Sequence, residues 1–237
     1  MDRNLVKIQG FDVDSFTFEQ AVDWAYSKHG QIVTINPEMI SAAQKNPDFA
    51  EIINSAELVV ADGIGVEIGL KILGYKVKRI AGIDLGKALV EKFTASGKSV
   101  AMIGAKPGVV DSAIENLSKE YKNLNVVYSH DGYFDNDDDI IASVISANPD
   151  LILVALGSPK QEFFIHNIKE KLPNSTLIGL GGSFDVWAGV VERAPKIYQK
   201  LGLEWLYRTL KEPKRFKRIF PTLPLFVLKV LKERFSK

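Results

Sequence analysis

The chain has 237 residues, 46% of them apolar and 25% charged, with 30 basic and 29 acidic side chains and no cysteine. Such a mixture predicts a soluble globular protein of one or two domains and excludes a disordered chain, a collagen-like chain and a disulfide scaffold. Without cysteine there is no Cys-ligated zinc and no thiol nucleophile, and a reducing cytoplasm fits. Residues 1–10 lack the apolar run of a signal peptide, and no stretch approaches the ~18–20 apolar residues of a spanning helix.

Residues 1–16 read as a short β-hairpin. Short apolar, β-branched runs then recur at residues 31–35, 57–61, 99–103, 125–129, 151–156 and 176–179. Amphipathic stretches lie between them, among them residues 18–28, 82–95, 109–121 and 161–171. Continuously apolar strands separated by helices imply a mainly parallel sheet covered on both faces. Residues 31–194 therefore predict one doubly wound α/β domain.

Ligands in such sheets bind beyond the carboxyl ends of the strands. Those ends carry Asn36-Pro37, Asp62-Gly63-Ile64-Gly65, Gly104-Ala105-Lys106-Pro107-Gly108, Asp131-Gly132, Gly157-Ser158-Pro159-Lys160-Gln161 and Gly181-Gly182-Ser183-Phe184-Asp185. Any one of them reads as an ordinary βα turn, because Gly and Asn are common turn residues. Six on one rim favour a ligand site. Asn36-Pro37 and Ser158-Pro159 read as an N-cap followed by an N1 proline, and helix N-termini aimed at the rim suit a diphosphate.

Asp62-Gly63-Ile64-Gly65 admits three readings. It is a turn or cap residue, a degenerate dinucleotide fingerprint for NAD with Asp84 as its acidic partner, or a carboxylate placed to take a proton from a hydroxyl. The fingerprint is weak, because its third glycine is displaced to Gly69. Asp135-Asn136-Asp137-Asp138-Asp139 invites a metal reading but lacks the Gly and Glu of a calcium loop. An acidic cap on a helix starting near Asp139 is the better account, and no metal site is expected. His29, His130 and His166 lack zinc spacing. No nucleophile elbow and no phosphate-binding P-loop is present.

The tail differs from the body. Residues 205–237 hold ten basic and two acidic side chains, whereas the rest of the chain has 20 basic and 27 acidic. Residues 201–211 read as a helix with Leu203, Leu206 and Leu210 as its apolar stripe, broken by Pro213. Residues 225–235 read as a basic amphipathic helix. With Phe216, Phe220, Phe226 and Phe235, this segment suits an anionic membrane surface. No nucleic-acid recognition motif accompanies the charge.

The runs Thr34-x-Asn36-x-Glu38, Ala61-Asp62-Gly63-x-Gly65, Arg79-x-Ala81-Gly82-x-Asp84, His130-Asp131-Gly132-Tyr133-Phe134, Gly157-Ser158-Pro159-Lys160-Gln161-Glu162, Gly181-Gly182-Ser183-Phe184-Asp185, Arg193-Ala194-Pro195 and Leu201-Gly202-Leu203-Glu204-Trp205-Leu206-Tyr207-Arg208 resemble the WecG/TagA/CpsF glycosyltransferases. The resemblance implies a Rossmann-like domain (1–200) and a basic helical C-terminal appendage (201–237) for membrane binding and closure of the site. It implies an inverting, metal-independent transfer of N-acetylmannosamine, or a related sugar, from a UDP-sugar to GlcNAc-diphospho-polyprenol. The setting implied is the inner face of the cytoplasmic membrane, in teichoic-acid or related polysaccharide synthesis. No cofactor is implied, and self-association is suggested. Carried over by motif, Asp62 is the general base; Thr34, Asn36, Arg79 and Gln161 hold sugar or acceptor; Asp185 reads the uracil; and Arg208, Arg215 and Arg218 close over the diphosphates. A hexosyltransferase using UDP-glucose and a nucleotide- or NAD-binding protein without transferase activity are the alternatives.

Overall fold

The computed structural model describes residues 3–211 and 216–236, with the side chains of residues 217–220 outside the description. In chain order its elements are β1 (Leu5–Ile8), β2 (Phe11–Asp14), α1 (Phe18–Lys28), β3 (Gly30–Ile35), α2 (Pro37–Ala43), α3 (Pro47–Asn54), β4 (Leu58–Ala61), α4 (Gly63–Ile72), α5 (Gly82–Ala95), β5 (Ser99–Gly104), α6 (Val109–Glu120), β6 (Asn125–His130), α7 (Asp137–Ala147), β7 (Leu151–Ala155), α8 (Lys160–Lys169), β8 (Thr176–Gly179), α9 (Ser183–Trp187), α10 (Lys196–Lys200), α11 (Glu204–Lys211) and α12 (Phe216–Phe235).

The hairpin forms as expected. β1 pairs antiparallel with β2 through a turn at Gln9 and Gly10. Both turn residues have positive φ, the geometry that matches the twist of two-residue hairpins. The remaining strands make one six-stranded sheet in the order β4-β3-β8-β7-β5-β6, and every pairing in it is parallel. The predicted doubly wound α/β fold is therefore present. All six strand ends, with their Gly-, Pro- and Asn-rich turns, lie on one rim. β6 is the exception to the apolar-strand rule: it is an edge strand and its residues are at most half-buried.

Side chains alternate across a strand, so parity assigns each face. Ile32, Leu58, Val60, Val100, Met102, Leu151, Leu153 and Ile178 face one core with α1, α5, α6 and α9. Val33, Ile35, Val59 and Ala61 face a second core with α2, α3, α4, the hairpin and α12. α7 and α8 cover the far half of that second face. β3 leads into α2 on one face while its neighbour β8 leads into α9 on the other. A crevice opens where adjacent strands send their helices to opposite sides.

Caps set several boundaries. Asn36 Oδ1 accepts from the amides of Glu38 and Met39 at 3.0 Å each, with Pro37 as the first helical residue, as its sequence predicts. Asn136 caps α7, whose first turn carries Asp137, Asp138 and Asp139, so the acidic run serves a helix N-terminus two residues earlier than expected. Ser158 is a correction. Pro159 itself holds the cap position of α8 and its first helical residue is Lys160, so Ser158 lies too far out to cap.

The tail needs correcting too. The last helix begins at Phe216 and runs through Pro221 and Pro224 instead of starting near residue 225. Phe226 does not offer itself to a membrane. It is buried with Val230 in the second core. Leu210 is exposed, so the expected stripe on α11 is only partly used. The break expected at Pro213 lies outside the described residues. α12 is also tied down by polar bonds: Glu233 Oε2 accepts from Gln9 N at 2.9 Å and Gln9 Nε2 at 2.8 Å.

Candidate active site

Thr34 and Asp62 have the parity that directs them to the α5 side of the rim. Thr34 pairs in register with Val60, two residues before Asp62. Asp62 is fixed through its backbone, its N–H donating to Ile35 O at 2.8 Å. The amide of Ile80 donates to Ala61 O at 2.7 Å, which draws the Arg79–Gly82 segment across the strand ends. Gly82 then approaches Thr34 so closely that a Cβ there would sit 3.1 Å from Thr34 Oγ1. The first turn of α5 thus lies directly over the Thr34–Asp62 pair.

Asp62 occupies the cap position of α4, but its carboxyl makes no capping bond to that helix. Burial pushes its pKa up to about 6. The backbone of Gly82 and Gly63 and the Arg79 guanidinium favour the charged form, and Glu204 adds to the rise. A carboxyl poised near neutrality at a ligand rim is matched to proton abstraction.

The Arg79–Ala81 segment borders a cavity of about 330 Å³ whose other lining residues are Phe18, Ile64, Glu67, Lys78, Asp84 and Lys200; Thr34 and Asp62 do not line it. Arg79 is anchored at both ends: its N–H donates to Glu67 Oε2 at 3.0 Å and its guanidinium to the carbonyl of Gln199. Residues 200–202 pack along this side. Gly202, at φ +71°, packs where a Cβ would lie 2.8 Å from Ile64 Cβ, so only glycine fits. α11 then starts at Glu204, and Arg208 lies one turn further, half-buried.

Gln161 and Asp185 occupy the other half of the rim. Gln161 is buried; its Oε1 accepts from Gly181 N at 2.9 Å and its Nε2 donates to Glu162 Oε1 at 2.7 Å. Its side chain lies so near β8 that a Cβ on Gly179 would come within 2.5 Å of Nε2. The amide therefore pins the loop that leads into α9, where Asp185 is half-buried. Gln161→Ala is expected to displace this rim loop and lower turnover about 10²-fold, with the folded state retained. Steady-state kinetics beside a thermal melt checks this.

Thr34, Asp62, Arg79 and the first turn of α5 are thus gathered at one place, with Asn36 next to it. Arg215 lies outside the described residues, as does the side chain of Arg218. The dinucleotide reading loses two of its glycines to packing. A Cβ on Gly65 would meet Pro37 Cγ at 2.7 Å, and one on Gly69 would meet Ile8 Cδ1 at 2.8 Å. Asp84, its supposed ribose partner, pairs with Arg193 at 2.6 Å. Glu204, Lys200 and Glu162 were not among the expected site residues, though Glu162 and Glu204 lie within the motif runs that carry the resemblance. Among the described residues no group of three or more His, Asp or Glu side chains is placed to hold a metal ion.

The sequence model of the glycosyl transferase WecG/TagA/CpsF family matches residues 6–237. The chain belongs to that family. Two relatives are named N-acetylglucosaminyldiphosphoundecaprenol N-acetyl-beta-D-mannosaminyltransferase. One, from Bacillus subtilis strain 168, is 39% identical over 207 residues, covering 87% of this chain and 80% of the relative. The other, from Bacillus spizizenii strain W23, is 38% identical over 212 residues, covering 89% and 82%. The WecG/TagA/CpsF match takes in the hairpin and the appendage as well as the parallel sheet, and it makes this chain a glycosyltransferase.

Proposed function

We propose that this glycosyltransferase moves N-acetylmannosamine, or a closely related sugar, from a UDP-sugar to GlcNAc-diphospho-polyprenol at the inner membrane face. The observation that carries the reading is the half-buried Asp62 carboxyl, its pKa raised to about 6, beside Thr34 under the first turn of α5 at the rim of a parallel sheet. The relatives' named acceptor supplies the substrate class.

The step is a single displacement that inverts the donor's anomeric carbon. The acceptor hydroxyl oxygen attacks that carbon while its proton passes to Asp62. The bond to the diphosphate oxygen breaks, and UDP departs with the electron pair. Arg79 and the appendage's Arg208, with Arg215 and Arg218, balance the diphosphate charge without a metal. Guanidinium groups suit that task because they bind phosphate oxygens in pairs and stay charged. Thr34 and Asn36 orient the reacting sugars, Gln161 holds the rim loop, and Asp185 reads the uracil.

Membrane contact falls to the outer face of α12. No described helix is long and apolar enough to cross a membrane. Leu225, Leu228 and Phe235 are exposed on α12, at spacings that share one helical face with Lys232. Apolar and basic side chains so mixed fit an anionic lipid surface.

A panel of UDP-sugars assayed with a GlcNAc-diphospho-lipid in anionic vesicles tests the reading. UDP-N-acetylmannosamine is expected to give the largest kcat/KM and to release one UDP per sugar transferred. Preference for UDP-glucose, or NAD binding without transfer, would refute it.

A further inference from the structure

Arg193, in the loop between α9 and α10, has no part in the chemistry above. Its guanidinium forks across Asp84, with Nη1 to Oδ1 at 2.6 Å and Nη2 to Oδ2 at 2.7 Å. Its remaining nitrogen, Nε, donates to Glu204 Oε2 at 3.3 Å. Asp84 stands in the first turn of α5, two residues after the Gly82 that lies over Thr34. Glu204 is the first residue of α11, the helix that carries Arg208.

One planar cation therefore joins the helix over the base to the helix that closes the site. All three of its edge nitrogens are used, a pattern that a lysine ammonium cannot reproduce. Each end of the fork borders a different cavity: Asp84 lines the one that Arg79 lines, and Arg193 lines another of about 220 Å³ with Trp187 and Lys87. Its loop is braced from the same side, since Gln199 Nε2 donates to Ala194 O at 2.6 Å and Arg79 holds the Gln199 carbonyl.

We propose that Arg193 is a positioning residue which, by bridging Asp84 and Glu204, docks α11 on α5 and thereby sets Arg208 and Asp62 around one cleft. The bridge also has an electrostatic role, which rests on the reading of Asp62 as the base. Glu204 raises the Asp62 carboxyl. Arg193 covers that charge. The other charged groups around the cleft are Glu67 and Lys78 beside Arg79, Asp84 on α5, Lys200 on α10 and Arg208 on α11. Removing Glu204's charge should therefore lower the acid limb of the pH profile. Removing Arg193 uncovers Glu204 and Asp84 and should raise it.

The test uses the full chain with Arg193→Lys, Arg193→Ala, Glu204→Gln and the double variant Arg193→Ala/Glu204→Gln. Transfer to a GlcNAc-diphospho-lipid is followed from pH 5 to 9, with a melt for each protein. Arg193→Ala is expected to lose about tenfold or more in kcat/KM, and Arg193→Lys to recover little of it. The double variant should be no worse than Arg193→Ala by more than about twofold, because both changes cut one bridge. The acid limb should move down in Glu204→Gln and up in Arg193→Ala. A fully active Arg193→Ala, losses that multiply in the double variant, or limbs that move the same way would each overturn the proposal.

Limited trypsin digestion reports on docking whatever Asp62 does. Cleavage after Arg208 and Lys211 should quicken in both Arg193 variants, and wild-type cleavage rates would overturn the bridge. If Asp62→Asn keeps its turnover while trypsin still finds α11 released, the base assignment fails and the docking role stands. Should Arg193→Ala not fold, Arg193→Lys carries the kinetic and proteolytic arms.

Discussion

Asp62→Asn is expected to lower sugar transfer about 10²- to 10⁴-fold, the usual loss when a general base is removed. The loss should come without unfolding, and the electrostatics say why. Burial lifts the Asp62 pKa from 3.8 to about 6, so the folded protein holds this proton more tightly than the unfolded chain does. A group shifted in that direction contributes stability at low pH and loses it as pH rises through about 6. At pH 8 the buried carboxylate is a cost, and the neutral amide removes it. The variant should therefore melt no lower than the parent at pH 8, while its kcat collapses. In the parent, kcat/KM should fall on the acid side below about pH 6, where the base becomes protonated. Near-normal turnover would remove Asp62 as the base, and a lower melting temperature at pH 8 would contradict the burial cost.

The second large effect concerns stability. Phe226→Ala should destabilise the protein by about 3–5 kcal/mol, the range for emptying a buried aromatic site. Phe226 is 3% exposed and lies against Gly69, where a Cβ would come within 3.1 Å of its ring. Leu228→Ala, two residues on and on the exposed side, is the control and should change stability by less than about 0.5 kcal/mol. Urea unfolding of the two variants decides the matter. Equal midpoints would mean that α12 is not part of the second core.

Sequence and structure agree where the signal is local. The strands are legible because each is a short run of β-branched residues between helices, and a parallel sheet buries both faces of such runs. Asn36 is legible as a cap because Pro37 follows it. Where a distant partner decides, legibility fails. Gly65 and Gly69 look like a phosphate loop, yet their smallness serves Pro37, Ile8 and Phe226. Phe226 looks like one of four membrane-facing aromatics, because helical spacing shows that a face is apolar without showing what covers it. Ser158-Pro159 has the composition of a cap, but the helix begins one residue later than that cap would require. The Asp84–Arg193–Glu204 bridge spans 109 residues between its first two members, and no spacing rule reaches that far.

The contact between Gln9 and Glu233 joins residues 224 positions apart. Translation delivers the hairpin well before α12, so the pocket formed by Ile8 and Gly69 stays uncovered while the whole parallel sheet between them is made. The second core is completed only as residues 226–233 leave the ribosome, and until then the nascent chain leaves the apolar surface around Ile8 and Leu70 without its cover.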